Sequence, residues 1–287
     1  MLSVTTVGGF ILMEVIYSPA VTNYLIFFDF DETYYPHEGL PEQLNMVYEL
    51  EQYLQQLARK HQVKIAWVTG SSVQQIQAKM KIAGLTLLPH FIASNLGTEM
   101  WKVEPDGQLA AIPAWAKIIK ESRFSRKNVE DLISELKYAF NIVLHEQTQL
   151  GQAVYKMNYY YYPVSAARTR YDLDIIRHLA ATNGIGININ ACNPKAGDPE
   201  HAYDVDFIPV GTGKKAVVQF LMDYSQVRPS KTLAFGDSGN DIEMLRMVAR
   251  GYLLQNATAE AKSCYNNIAP YPYAQGILYV CKKIFGE

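Results

Sequence analysis

Cysteine is scarce in this chain. Three residues, Cys192, Cys264 and Cys281, are scattered, odd in number and form no CxxC pair. That argues against a disulfide framework or a structural zinc site and suits a reducing cytoplasm. A charge surplus is missing too. Lysine and arginine total 26 against 28 acids, a formal net charge of -2. No broad positive field exists to draw in nucleic acid or an anionic membrane. Long apolar runs are absent: nothing approaches the roughly 20 residues of a membrane span. Residues 1–23 are moderately apolar but lack a basic lead and carry Glu14, so they read as an extension or added strand and not as a signal peptide. No internal repeat or low-complexity linker occurs, and the one biased run is Tyr159 to Tyr162.

What is present suffices for a core domain with a second one inserted: 287 residues, 49% hydrophobic and 19% charged. The apolar run 24–28 stops abruptly at acids and reads as a buried parallel strand. Helical spacing of Leu44, Val47, Leu50, Leu54 and Leu57 follows over 41–59. A second buried strand, 63–68, precedes Thr69-Gly70-Ser71-Ser72, and Ser72 with Gln75 forms a capping-box pattern that starts a helix ending at Gly84. Residues 91–93 read as a third strand. This alternation predicts a Rossmann-like, doubly wound α/β sheet. From about Thr98 to Val205 the pattern turns less regular, with helices over 128–140 and 166–182 and strands over 154–162 and 185–191. That stretch predicts a small α+β unit set into the main fold. The α/β signal resumes with a helix over 214–224, a strand over 232–235, a helix over 241–249, a strand over 251–254 and a closing helix over 276–284.

Four polar clusters fall at strand ends or helix heads, where open α/β sheets bind ligands. They are Asp29-Phe30-Asp31-Glu32-Thr33, Thr69-Gly70-Ser71, Gly211-Thr212-Gly213-Lys214, and Gly236-Asp237-Ser238-Gly239-Asn240-Asp241. In an extended chain Asp29 and Asp31 face the same way, and Asp237 would join them from a neighbouring strand. Two like charges about 4 Å apart repel by on the order of 4 kcal/mol at an effective dielectric of about 20. Such a group needs a cation, protonation or both. Its charged ligands are all oxygen, so the ion should be hard, and Mg2+ fits. Singly, each cluster has a plain structural account: a solvated acid pair, a helix cap, a surface lysine. It is their order and shared placement that argue for a site.

At this point the sequence resembles the haloacid dehalogenase superfamily of phosphatases. Asp29-x-Asp31-x-Thr33 is similar to its first motif, Thr69 to its second, Lys214 to its third, and Gly236-Asp237-x-x-Asn240-Asp241 to its fourth. The insertion resembles the type IIB cap of the sucrose-phosphatase class, and Ser94-Asn95-Leu96-Gly97-Thr98-Glu99 resembles the approach to that cap. One departure stands out: Ser71 occupies a position where many type IIB relatives carry arginine. The resemblance implies an enzyme, a magnesium-dependent sugar phosphatase, with residues 24–97 and 206–287 as phosphatase core, 98–205 as cap and 1–23 as an extension. It implies Asp29 as nucleophile through an aspartyl-phosphate, and Asp31 as general acid and then base. Mg2+ would be held by Asp29, Asp237 and the backbone carbonyl of Asp31. Thr69, Gly70 and Lys214 would bind the phosphoryl group, with Thr33, Ser238, Asn240 and Asp241 supporting these groups from behind.

The cap should close over the site and choose the sugar, with Asn190, Asn193, Lys195, Asp198 and Glu200 as candidate contacts and Lys156 and Asn158 behind them. Gln147-Thr148-Gln149-Leu150-Gly151, Cys192-Asn193-Pro194, Ala196-Gly197-Asp198-Pro199-Glu200 and Asp204-Val205-Asp206-Phe207-Ile208-Pro209 resemble a subgroup acting on an amino-sugar phosphate. The expected partner is thus a small sugar phosphate, with no nucleic acid and no membrane, and self-association is left open. Alternatives are a phosphatase for sucrose 6-phosphate or a hexose 6-phosphate, a phosphomutase, and a non-catalytic protein on the same fold.

Overall fold

The computed structural model describes residues 13–147, 153–194 and 197–286. The chain divides into two compact units, Met1–Pro113 with Lys214–Glu287, and Ala114–Gly213. The first begins with Glu14–Val15 (β1) and Tyr24–Phe28 (β2). Pro41–His61 (α1), Val63–Val68 (β3), Val73–Ala83 (α2), Leu87–Leu88 (β4) and Phe91–Ser94 (β5) follow, then Glu99–Val103 (β6) and Leu109–Ala111 (β7). The second unit comprises Pro113–Glu121 (α3), Arg126–Phe140 (α4), His145–Glu146 (β8), Met157–Tyr161 (β9), Ala166–Thr182 (α5), Ile185–Ala191 (β10) and Tyr203–Pro209 (β11). The chain then rejoins the first unit through Lys214–Tyr224 (α6), Thr232–Gly236 (β12), Ile242–Met247 (α7), Arg250–Leu253 (β13), Ala259–Cys264 (α8) and Tyr273–Phe285 (α9).

The main sheet runs β13-β12-β2-β3-β5-β6-β7. Strands β13 to β5 are parallel, and β6 and β7 are added antiparallel at one edge. This is the doubly wound α/β core. The chain winds outward from β2 to β3 and β5, and later fills the other side with β12 and β13. The carboxyl ends of β12, β2 and β3 therefore lie side by side at the point where the winding reverses. On one face Ile26, Phe28, Ile65, Trp67, Leu233 and Phe235 pack with Leu50 and Leu54 of α1, Ile76 of α2 and Ile277 of α9 in a single core. The alternate residues Leu25, Phe27, Ala66 and Ala234 are just as buried on the other face. Both faces being covered explains why these strands read as unbroken apolar runs.

The boundaries expected at 98 and 206 differ from those of the structure. The β6–β7 hairpin belongs to the core, since β6 pairs with β5 and Val103 and Leu109 are buried in the main core. At the other end Asp206 lies inside β11, which pairs with β10 along its whole length, Tyr203 to Pro209. A third helix, α3, was not expected; it buries Trp115 and Ile119. The second unit is a four-stranded antiparallel sheet, β10-β11-β9-β8. Val129, Leu132 and Leu136 of α4 and Leu173 and Ile176 of α5 pack with Met157, Tyr159, Tyr161, Val205 and Phe207 of the sheet. No helix among the described residues is long and apolar enough to cross a membrane.

The amino-terminal stretch is tied to the first unit by β1, which pairs in parallel with β4, and by His90. The Ile65 N–H donates to His90 Nδ1 (3.0 Å), so Nε2 carries the proton and donates to the Tyr17 carbonyl (3.1 Å). Burial lowers the ring's pKa to about 4, against a hydrogen bond to Tyr17 that raises it. The neutral ring is the native form, so stability from this group is present above pH 6.5 and lost as pH falls toward 4. The shift corresponds to about 3 kcal/mol. Urea denaturation of wild type and His90→Gln at pH 7 and pH 4.5 checks this: the wild type should lose more stability than the variant on acidification. Equal losses would remove His90 from the account.

Candidate active site

Phe30 decides how the acids leave β2. Its ring is buried among Tyr35 (stacked, 5.6 Å), Trp67 (5.0 Å) and Tyr34 (6.0 Å). The flanking Asp29 and Asp31 are thereby turned away from this aromatic cluster. Tyr34 N–H and Tyr35 N–H both donate to the Phe30 carbonyl, and the Tyr34 hydroxyl donates to Glu51 (2.8 Å), fastening the loop to α1.

Asp29 is 5% exposed. Its Oδ1 accepts the Phe30 N–H (2.7 Å) and its Oδ2 lies 3.0 Å from Lys214 Nζ. Lys214, at the first position of α6, also donates to Asp241 Oδ1 (2.8 Å). Asp241 Oδ2 accepts the N–H groups of Asp237 and Ser238, each at 3.0 Å. Thr33 Oγ1 donates to Asp237 Oδ1 (3.0 Å), and Ser238 Oγ donates to Asn240 Oδ1 (3.1 Å). Gly236 makes this cradle feasible: a Cβ there would lie 2.4 Å from Asp241 Cβ and Cγ. One buried ammonium thus serves two carboxylates. Burial raises the Asp29 pKa to about 7; Lys214 opposes the rise, and Asp241 and Asp31 add to it. Asp237 is raised well above the usual range by burial, Asp241 and Asp29. Burial alone would lower Lys214, but Asp241 and Asp29 outweigh it and hold its pKa up.

Asp31 is held quite differently. It is partly exposed and engaged through both oxygens. Oδ1 meets His37 Nε2 (2.9 Å) and the Lys79 ammonium, while Oδ2 accepts Ser71 Oγ (2.6 Å) and Thr69 Oγ1 (3.4 Å). Burial would raise its pKa, but the bonds from His37, Lys79 and Ser71 hold it well below the usual carboxylate range. His37 and Lys79 were missed in the sequence. A histidine six residues past the acid and a lysine on the next helix fit no spacing rule. The structure brings Thr69 to Asp31, and Gly70 lies beside Leu96, 3.7 Å from where its Cβ would be.

The buried acids fit a divalent cation. One oxygen each of Asp29, Asp237 and Asp241 lies within 4.8 Å of the others. Asp241 already has both oxygens engaged, and among the described residues Asp237 has no ion-pair partner. Asp29 shares its one ammonium, Lys214, with Asp241, so Asp237 is left without a cation and Asp29 with half of one. An all-oxygen set of this kind suits a hard ion that keeps some waters. The Asp31 carboxylate does not belong to this group.

In the second unit, register places two polar rows across one face of the sheet: Asn188–Asp206–Asn158 and Asn190–Asp204–Tyr160. Asn158 and Asn188 donate to the two oxygens of Asp206 (2.7 and 3.0 Å), and Gln147 donates to Asp204 Oδ1 (2.7 Å). The Tyr160 hydroxyl donates to Asp198 (3.2 Å), and the Asn193 N–H lies 3.4 Å from Asp198 Oδ2. Cys192, Asp198 and Asp204 cluster within 4.8 Å. Burial, Asp206 and Asp198 raise the Asp204 pKa to about 7. Of the expected sugar contacts, Asn190, Asn193 and Asp198 belong to this region, Glu200 is exposed, and Lys195 lies outside the described residues, as do Thr148, Gln149, Leu150, Gly151 and Ala196. Lys156 is buried. Asp204 and Asp206 were not singled out as contacts, although their i, i+2 spacing in a strand already puts them on one face.

The sucrose-6F-phosphate phosphohydrolase family profile matches residues 22–281. The kanosamine-6-phosphate phosphatase of Bacillus subtilis is 44% identical over 264 residues, 92% of this chain and 93% of that protein. Among solved structures, a haloacid dehalogenase-like hydrolase of Bacillus subtilis matches with a TM-score of 0.74 and 40% identity over 96% of both chains. The sucrose-phosphatase of Synechocystis shares the fold, with a TM-score of 0.72 at 23% identity over 92% of this chain and 99% of that one. With a family profile spanning both units and the acids of the first unit gathered at the reversal of its sheet, this chain belongs to the sucrose-6F-phosphate phosphohydrolase family of haloacid dehalogenase-type sugar phosphatases.

Proposed function

We propose that this chain hydrolyses kanosamine 6-phosphate to kanosamine and inorganic phosphate. The substrate assignment rests on the 44% identity to the Bacillus enzyme of that name. The acid-rich face of the second unit supports it: Asp198 and Asp204 cluster within 4.8 Å, and burial, Asp206 and Asp198 make Asp204 hard to ionise there. A protonated amine on the sugar would relieve that repulsion, whereas the hydroxyls of sucrose or glucose would not. A cytoplasmic setting belongs to the same reading.

The chemistry is carried by one observation, the buried Asp29 carboxylate pinned between Lys214 and the Phe30 N–H at the centre of the sheet. Asp29 attacks phosphorus, and the bond from phosphorus to the sugar oxygen breaks as Asp31 gives that oxygen a proton. Water then attacks the phosphorus of the aspartyl-phosphate, Asp31 takes its proton, and the bond to Asp29 breaks. Phosphate leaves with the Asp29 carboxylate restored. His37, Lys79 and Ser71 favour the ionised form of Asp31, the form the second half needs. A phosphate dianion nearby would raise its pKa and so favour the protonated form that the first half needs. Thr69 and Lys214 serve the transferring phosphoryl oxygens. Mg2+ would be held by Asp29 and Asp237 with the Asp31 carbonyl, and when bound would supply the positive charge that lets carboxylates and phosphate share the site.

Catalytic efficiency with magnesium on kanosamine, glucosamine, glucose and sucrose 6-phosphates tests this. Kanosamine 6-phosphate should lead glucose 6-phosphate by at least about 10-fold, as expected when a charged group is read specifically. No advantage would sink the substrate assignment and leave the phosphatase standing.

A further inference from the structure

Lys79 lies on α2, seven residues past its Ser72 cap, and helical side chains lean back toward the amino terminus. Its ammonium therefore reaches the strand-end acids and meets Asp31 Oδ1, and it also lies 3.2 Å from Ser71 Oγ. Ser71 in turn donates to Asp31 Oδ2 (2.6 Å), and His37 Nε2 lies 2.9 Å from Oδ1. Two elements, α2 with its leading turn and the loop after β2, thus grip both oxygens of one carboxylate. Lys214 does not share this task, being bound to Asp29 and Asp241. Charge points the same way. Lys214 is spent on Asp29 and Asp241, so Lys79 is the ammonium that answers the Asp31 carboxylate.

We infer that Lys79 is the positioning residue that orients the Asp31 carboxylate for proton transfer to the leaving sugar oxygen, with Ser71 and His37 completing the grip. The inference rests on the acid–base reading of Asp31 above. A misplaced acid penalises a poor leaving group and spares a good one, because an aryl oxide departs without a proton. A lost phosphate contact, by contrast, penalises both alike.

The test compares kcat/KM, which reports the first phosphoryl transfer, for kanosamine 6-phosphate (or glucose 6-phosphate, should the substrate screen favour it) and for p-nitrophenyl phosphate. Lys79→Met should lose about 10- to 100-fold on the sugar phosphate, and at least about 10-fold less than that on the aryl phosphate. Lys79→Arg, which keeps the charge, should recover part of the sugar-phosphate activity. Equal losses on both substrates, whether from weakened phosphate binding or a damaged fold, overturn the inference, and so does no loss on either. Asp31→Asn separates the two readings. If it spares the sugar phosphate, the acid–base reading of Asp31 fails. If it shows the selective loss and Lys79→Met does not, the role of Lys79 alone fails.

Discussion

Exchanging Asp29 for asparagine should abolish turnover, with kcat falling by at least about 1,000-fold, while the metal-free protein becomes more stable. Asparagine keeps the shape and can still accept the Phe30 N–H, but it is uncharged and cannot form a phosphoryl ester with useful lifetime or rate. The gain in stability follows from the electrostatics. Burial, with Asp241 and Asp31, raises the Asp29 pKa from 3.8 to about 7 despite Lys214. A group whose pKa is raised on folding contributes stability that is full below its unfolded pKa and is lost as pH rises through the folded one. Asparagine has no such loss, so its advantage should grow between pH 4 and pH 7 and level off above. Initial rates and urea midpoints across that range check both parts. Retention of more than about a tenth of wild-type turnover would contradict the nucleophile. A variant less stable than wild type at pH 8 would contradict the account of the acid cluster.

The second large effect is expected at Lys214, whose side chain is 2% exposed. Lys214→Met leaves Asp29 and Asp241 facing each other in the interior with no cation. Breaking a buried pair in this way costs about 3 to 5 kcal/mol. The loss should be greatest above pH 7, where Asp29 is ionised, and should shrink at pH 5. Asp241 would also lose the bond that orients it, and with it the cradle under Asp237 and Ser238. Turnover should therefore vanish even where the variant remains folded. Lys214→Arg should not rescue it, because a wider planar cation has no room in so closed a site. Chemical denaturation at pH 5 and pH 8, with activity on the same samples, decides the matter. An unchanged midpoint at pH 8 would show that the ammonium does not compensate these acids.

Much of this protein could be read before its structure. Pro41 and helical spacing marked α1, the Ser72–Gln75 box and Gly84 marked α2, and abrupt stops of apolar runs at acids marked β2 and β3. These signals are local: period, cap and punctuation act within a few residues, so one chain suffices to show them. The short strands β4, β6, β7 and β8 were not legible. Two to five residues hold too little period, and their pairing depends on distant neighbours. The domain limits shifted for the same reason, since whether residues 99–111 extend one sheet or begin another depends on what β5 offers as a partner.

The sequence by itself determined the α/β class, the order of four polar clusters and the oxygen-rich character of their acids, because all three are properties of residue type and near spacing. Only the tertiary structure decided which acid each cation serves. Lys214 bridges Asp29 and Asp241, Asp237 has no ion-pair partner among the described residues, and Asp31 is taken by Lys79 and His37. Electrostatic pairing falls off with distance in space and not along the chain. Lys79 and Asp31 meet across 48 residues because two parallel strands end side by side.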